Sequence, residues 1–79
     1  MELTRLMYDI LSILKEDNYV DQFHSLTIYE LQEMIKKYKP NTIYKSIRSM
    51  ENLKLIQKGV KAERAVTYYI TEKGLDLIK

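Results

Sequence analysis

Asn41, Lys45 and Arg48, with Asn52 a turn further on, are the residues whose types and spacing carry the most chemistry in this sequence. At about 100° per residue, a helix through them turns all four away from Ile43, Ile47 and Met50, whose apolar spacing demands burial. Arg and Lys donate to O6 and N7 of guanine, and an Asn amide pairs with the edge of adenine, so this face could read base pairs. Thr42, Tyr44 and Ser49 flank it. Residues early in such a helix normally meet base edges. Base contact is therefore expected of Asn41, Thr42, Tyr44, Lys45 and Arg48, and backbone contact of Ser49.

Cations on either side suit a simpler task. Lys36, Lys37 and Lys39 precede the helix, while Lys58, Lys61 and Arg64 follow it. Phosphate contacts from such residues position a protein on a duplex without reading its sequence. Arg64 is the best placed for a narrow minor groove, which concentrates negative potential. The net charge of +2 hides how uneven the chain is. Residues 1–35 hold two basic and seven acidic side chains, whereas residues 36–64 hold nine basic and two acidic ones. A basic middle on an acidic start points to an anionic partner on one side, and double-stranded DNA is the expected one.

Other chemistries are poorly provided for. His24 is the single histidine and there is no cysteine, so no metal site, disulfide or cofactor is expected. No nucleophile stands at usable spacing from a base, no phosphate-binding glycine loop is present and no paired carboxylates fall in a likely cleft, which argues against an enzyme. Of the tyrosines, Tyr8, Tyr29 and Tyr68 lie on or beside apolar stripes and are expected in the core. Only Tyr44 is expected on DNA.

The elements that must hold these residues are legible in the periodicity. Leu3, Leu6, Met7, Ile10, Leu11, Ile13 and Leu14 give a first amphipathic helix over residues 2–17. Their arc spans about 160°, wider than one core contact requires, so a second apolar contact is expected. Residues 18–25 have no clear period. Thr27 and Glu30 form a capping box for a second helix carrying Ile28, Leu31, Met34 and Ile35 and ending near Lys36 or Lys37. Pro40 breaks the pattern, and Asn41 is expected to cap the third helix, with the stem of Lys54 covering its end. Alternation then sets Val66, Tyr68 and Ile70 against Thr67, Tyr69 and Thr71, a strand that pairs with 56–58 across a loop containing Gly59. Thr71 caps a last short helix, weakened by Gly74 and offering Leu75, Leu77 and Ile78 for burial.

This order gives an α+β fold: a small winged helix-turn-helix with three helices, a two-stranded β wing and a short C-terminal helix, one domain over 1–79. The reading helix covers about 41–54 and the wing about 57–67. The stretch from Pro40 to Ile56, with Thr42-Ile43-Tyr44-Lys45 at its start and Leu53-Lys54-Leu55-Ile56 at its exit, resembles the recognition helix of PadR-like and MarR-like transcriptional regulators. Tyr68 to Gly74 resembles their second wing strand and the turn after it. The resemblance implies a DNA-binding regulator of transcription. Small winged helices of this kind suit an archaeal, plasmid or viral setting. Lys54 departs from the family pattern by standing where glycine is usual, and the sequence stops before the family's long C-terminal dimer helix.

A homodimer is still expected, because two half-sites double the contacts, and Leu3, Leu6, Ile10, Ile13, Leu75 and Ile78 would supply its interface. The N-terminal apolar stretch is interrupted by Tyr8, Asp9, Ser12 and Lys15, so it suits neither a signal peptide nor a membrane span, and a cytoplasmic, nucleoid-associated protein with no evident small-molecule effector is expected. The rival expectation is a winged helix used as a protein-interaction module, its lysines serving only solubility.

Overall fold

Thr4 begins the first helix by accepting the Met7 amide at 3.1 Å on its hydroxyl, and α1 runs Arg5–Glu16. In this computed structural model, which describes residues 3–60 and 66–78, six further elements follow. They are β1 (Leu26–Thr27), α2 (Ile28–Met34), α3 (Pro40–Asn52), β2 (Ile56–Lys58), β3 (Thr67–Ile70) and α4 (Glu72–Leu77). The strands form one antiparallel sheet in the order β1-β3-β2, with Leu26 opposite Tyr68 and Ile56 opposite Ile70. The sheet therefore has three strands where a two-stranded wing was expected. As the central strand, β3 buries Thr67 and Ile70 and leaves Tyr68 and Tyr69 half-buried, so its burial does not follow simple alternation.

The capping box at Thr27 is present in both directions: the Glu30 amide donates to the Thr27 hydroxyl at 3.2 Å, and the Thr27 amide donates to Glu30 Oε1 at 3.1 Å. The second helix ends at Met34, two or three residues earlier than expected, and Met34 is 48% exposed. At α3 the cap position belongs to Lys39 and Pro40 occupies the first turn, so Asn41 is not the cap. A proline suits that place because its fixed φ is already helical and its missing N–H would have no partner there.

The end of α3 explains the departure at Lys54. Its φ is 64°, its amide donates to the Glu51 carbonyl at 3.0 Å, and the Leu55 amide donates to the Met50 carbonyl at 2.9 Å. These two bonds close the helix through a left-handed residue, a position that favours glycine. The same geometry explains the glycine of the family pattern. Lys54 is exposed. Helix α1 closes in the same way through Asn18, at φ 60°.

The core joins α1, α2, α3 and the sheet through Leu11, Leu14, Leu31, Ile43, Ile47 and Met50 of the helices and Leu26, Ile56 and Ile70 of the strands. Leu6, Ile10 and Ile78, expected at a dimer interface, lie in this core at 3%, 0% and 6% exposure. The wide apolar arc of α1 is accounted for within the chain, because α1 packs on α3, β3 and α4. Leu3, Ile13 and Leu75 are half-buried against the same core. Tyr68 packs there too, but Tyr8 and Tyr29 are exposed, contrary to expectation.

Candidate nucleic-acid interface

With Ile43, Ile47 and Met50 buried, α3 presents Asn41, Thr42, Tyr44, Lys45, Arg48 and Ser49 to the outside. All five expected base-contact residues therefore share one exposed side of one helix. They do not form a single stripe. Tyr44 and Arg48 lean together, the Arg48 guanidinium carbon lying 5.9 Å from the centre of the Tyr44 ring. Glu51, one turn beyond Arg48, pairs with Lys58 of β2 at 3.8 Å, and Lys58 stands opposite Tyr68 of β3.

The other expected phosphate contacts, besides Ser49 and Lys58, divide into three groups. Lys39 is exposed and carries no ion pair among the described residues. Lys36 pairs with Glu33 at 3.5 Å, and Lys37 lies 4.0 Å from Asp9 and 5.2 Å from the Tyr38 ring. One pair is highly exposed and the other is stretched to 4.0 Å, so each contributes about 0–1 kcal/mol, little enough for a phosphate to displace the carboxylate. Lys61 and Arg64, on which wing contact was expected, lie outside the described residues.

Three neighbours of this surface were not expected there from the sequence: Tyr29, which was expected in the core, Gln32 and Glu51. Tyr29 and Gln32 of α2 line a groove of about 330 Å³ with Pro40, Asn41, Tyr44 and Tyr68. The helical stripe of α2 gave no sign of this, because Tyr29 looks like a core residue until its 65% exposure is known. Glu51 had a signal, as one of only two acids in the basic stretch 36–64.

Burial pushes the Tyr68 hydroxyl above its ordinary value of 10.0; Glu51 and Tyr44 add to the rise and Arg48 opposes it. The fold thus favours the neutral phenol, while the unfolded chain sheds that proton first. Tyr68 contributes stability fully below pH 10.0 and loses it as pH climbs through the raised value. A difference titration by ultraviolet absorbance between wild type and Tyr68→Phe should place this midpoint above 10.0, and a midpoint at or below it would contradict the burial.

His24 serves the loop, its Nδ1 lying 2.7 Å from the Asn18 carbonyl and its ring 4.4 Å from that of Tyr19. Among the described residues, no cluster suited to a metal ion occurs, and no helix is long and apolar enough to cross a membrane.

No family model matches the chain. Over 79 residues it is 30% identical to the DNA-binding protein TubR of Clostridium botulinum C phage, covering 100% of this chain and 96% of that protein. Among solved structures, TubR from Bacillus megaterium superposes with a TM-score of 0.87 at 19% identity, over 98% of this chain and 83% of that one. The MepR–DNA complex of Staphylococcus aureus gives 0.78 at 23% identity, over 96% of this chain and 59% of MepR. A PadR family transcription regulator from Clostridium difficile gives 0.77 at 21% identity, over 95% and 80%. At these identities the structural likeness is one of fold, and that fold is the winged helix-turn-helix of MarR-like and PadR-like regulators.

Proposed function

This chain belongs to the family of the DNA-binding protein TubR, and we propose that it binds double-stranded DNA and regulates transcription. Helix α3 enters the major groove, while the wing grips backbone and minor groove. The observation that carries this reading is the single exposed side of α3, where Asn41, Thr42, Tyr44, Lys45 and Arg48 stand opposite a fully buried stripe. Backbone contact falls to Lys39 and Ser49, to Lys36 and Lys37 once their weak ion pairs yield, and to Lys61 and Arg64 of the wing, with Lys58 restrained by its pair with Glu51. The protein acts in the cytoplasm on the nucleoid as one winged-helix unit over residues 1–79, by binding rather than catalysis. Two copies act together on paired half-sites. Leu3, Ile13 and Leu75 are the members of the expected dimer face that keep some exposure.

Selection of bound duplexes from a random library tests this directly, because a dimer on two half-sites should enrich a repeated motif at a fixed spacing. Failure to enrich any motif would defeat sequence reading. On the enriched site, Arg48→Ala should weaken binding roughly tenfold and blur preference at one position. Equal losses on every duplex would move Arg48 to backbone contact.

A further inference from the structure

One turn beyond Arg48 on α3, Glu51 sets a carboxylate beside Lys58 of β2, within a stretch, 36–64, that holds nine basic and only two acidic side chains. The Glu51 carboxylate lies 3.8 Å from Lys58 Nζ, with the two side chains 32% and 59% exposed. Lys58 is the cross-strand partner of Tyr68. One turn before Glu51, Arg48 lies against the Tyr44 ring. A carboxylate here repels the phosphates that the neighbouring cations attract, so on a surface that only gripped DNA it would be a defect. Its effect is different on a surface that must discriminate. Phosphate contacts raise affinity for right and wrong duplexes alike, whereas discrimination is the difference between them.

We infer that Glu51 is a specificity-positioning residue, which holds Lys58 away from the phosphate backbone and so leaves discrimination to the base contacts of α3. This rests on the reading of the chain as a duplex-binding protein. Glu51 acts through Lys58, not by touching a base. Because it is partly shielded, its pair with Lys58 is screened less than the Lys36–Glu33 pair, in which both side chains are more than 70% exposed. When the wing approaches DNA, Lys36 is therefore freed for phosphate more readily than Lys58.

Binding of a random duplex and of the selected site, measured across a salt series on the full chain, tests the inference. Glu51→Gln keeps the size of the side chain and removes its charge. It should raise random-duplex affinity about three- to tenfold at ~100 mM salt and steepen the logarithmic salt slope by about 1 per subunit, since Lys58 becomes available to one more phosphate. Affinity for the selected site should rise less, so the ratio between the two falls. Glu51→Asp retains the charge and should restore the wild-type slope. In a Lys58→Gln background, Glu51→Gln should leave the slope unchanged. A slope unaltered by Glu51→Gln alone would overturn the inference, as would one steepened equally without Lys58. A uniform loss on both duplexes with a lowered melting temperature would assign Glu51 to stability instead and overturn it as well. Wild-type protein that binds no duplex at any salt would defeat the DNA reading, a result distinguishable from all of these.

Discussion

Raising monovalent salt from about 50 to about 200 mM should weaken binding of the selected duplex by on the order of 10⁴-fold. The expectation comes from counting cations. Lys39 is exposed and unpaired among the described residues, Lys36 and Lys37 are held only by single carboxylates, and the wing sequence adds Lys61 and Arg64. Allowing about four neutralised phosphates per subunit, a dimer covers roughly eight, and the logarithm of affinity falls against the logarithm of salt with a slope of about −7. The rival, a winged helix serving as a protein-interaction module, binds no duplex and has no slope to measure. Fluorescence anisotropy with a labelled duplex separates them. A slope near −3 to −4 would keep DNA binding but indicate one subunit per site.

The same cations show how far the sequence could be read. Helix α3 was legible because Ile43, Ile47 and Met50 fix which side is buried, and every exposed residue on the helix follows from that phase. The caps at Thr27 and Thr71 were legible because a hydroxyl three residues ahead of an amide has a local geometric purpose. Strand β1 was not. Two residues, Leu26 and Thr27, carry no period, and they are a strand only because β3 lies alongside them. For a related reason three members of the expected dimer face belong to the core: a wide apolar arc on α1 reveals that something covers it, but not whether that is a second copy or the chain's own α4. Leu6, Ile10 and Ile78 are covered from within. At the site, the residue types were legible and their pairings were not, because Lys37–Asp9 and Lys58–Glu51 join residues that only tertiary packing brings together.

Gly74 gives the sharpest case, since local and tertiary reasoning predict opposite signs for Gly74→Ala. As a residue of α4 it should be improved by alanine, by about 1 kcal/mol. Its surroundings oppose this. A Cβ at Gly74 would lie 2.5 Å from the Leu55 carbonyl oxygen and 2.8 Å from Ile70 Cγ1. The first of these is backbone and is not free to turn aside. That oxygen already accepts the Thr71 amide at 3.0 Å, while the Thr71 hydroxyl donates to the adjacent Lys54 carbonyl at 2.7 Å and accepts the Gly74 amide at 3.2 Å. Moving α4 outward to admit a methyl group would stretch bonds of about 0.5–1.5 kcal/mol each, on top of an overpacking cost of about 1–3 kcal/mol. The tertiary terms win, and Gly74→Ala should destabilise the fold by about 2–3 kcal/mol net of the helix gain. For a chain of this size the whole stability is about 4–12 kcal/mol, so urea denaturation should register the loss as a lower midpoint with an unchanged slope. Stabilisation by about 1 kcal/mol would show instead that α4 can move off Leu55 freely. That outcome would also loosen the link between α4 and the reading helix, because Leu55 is the residue on which α3 closes before β2 begins.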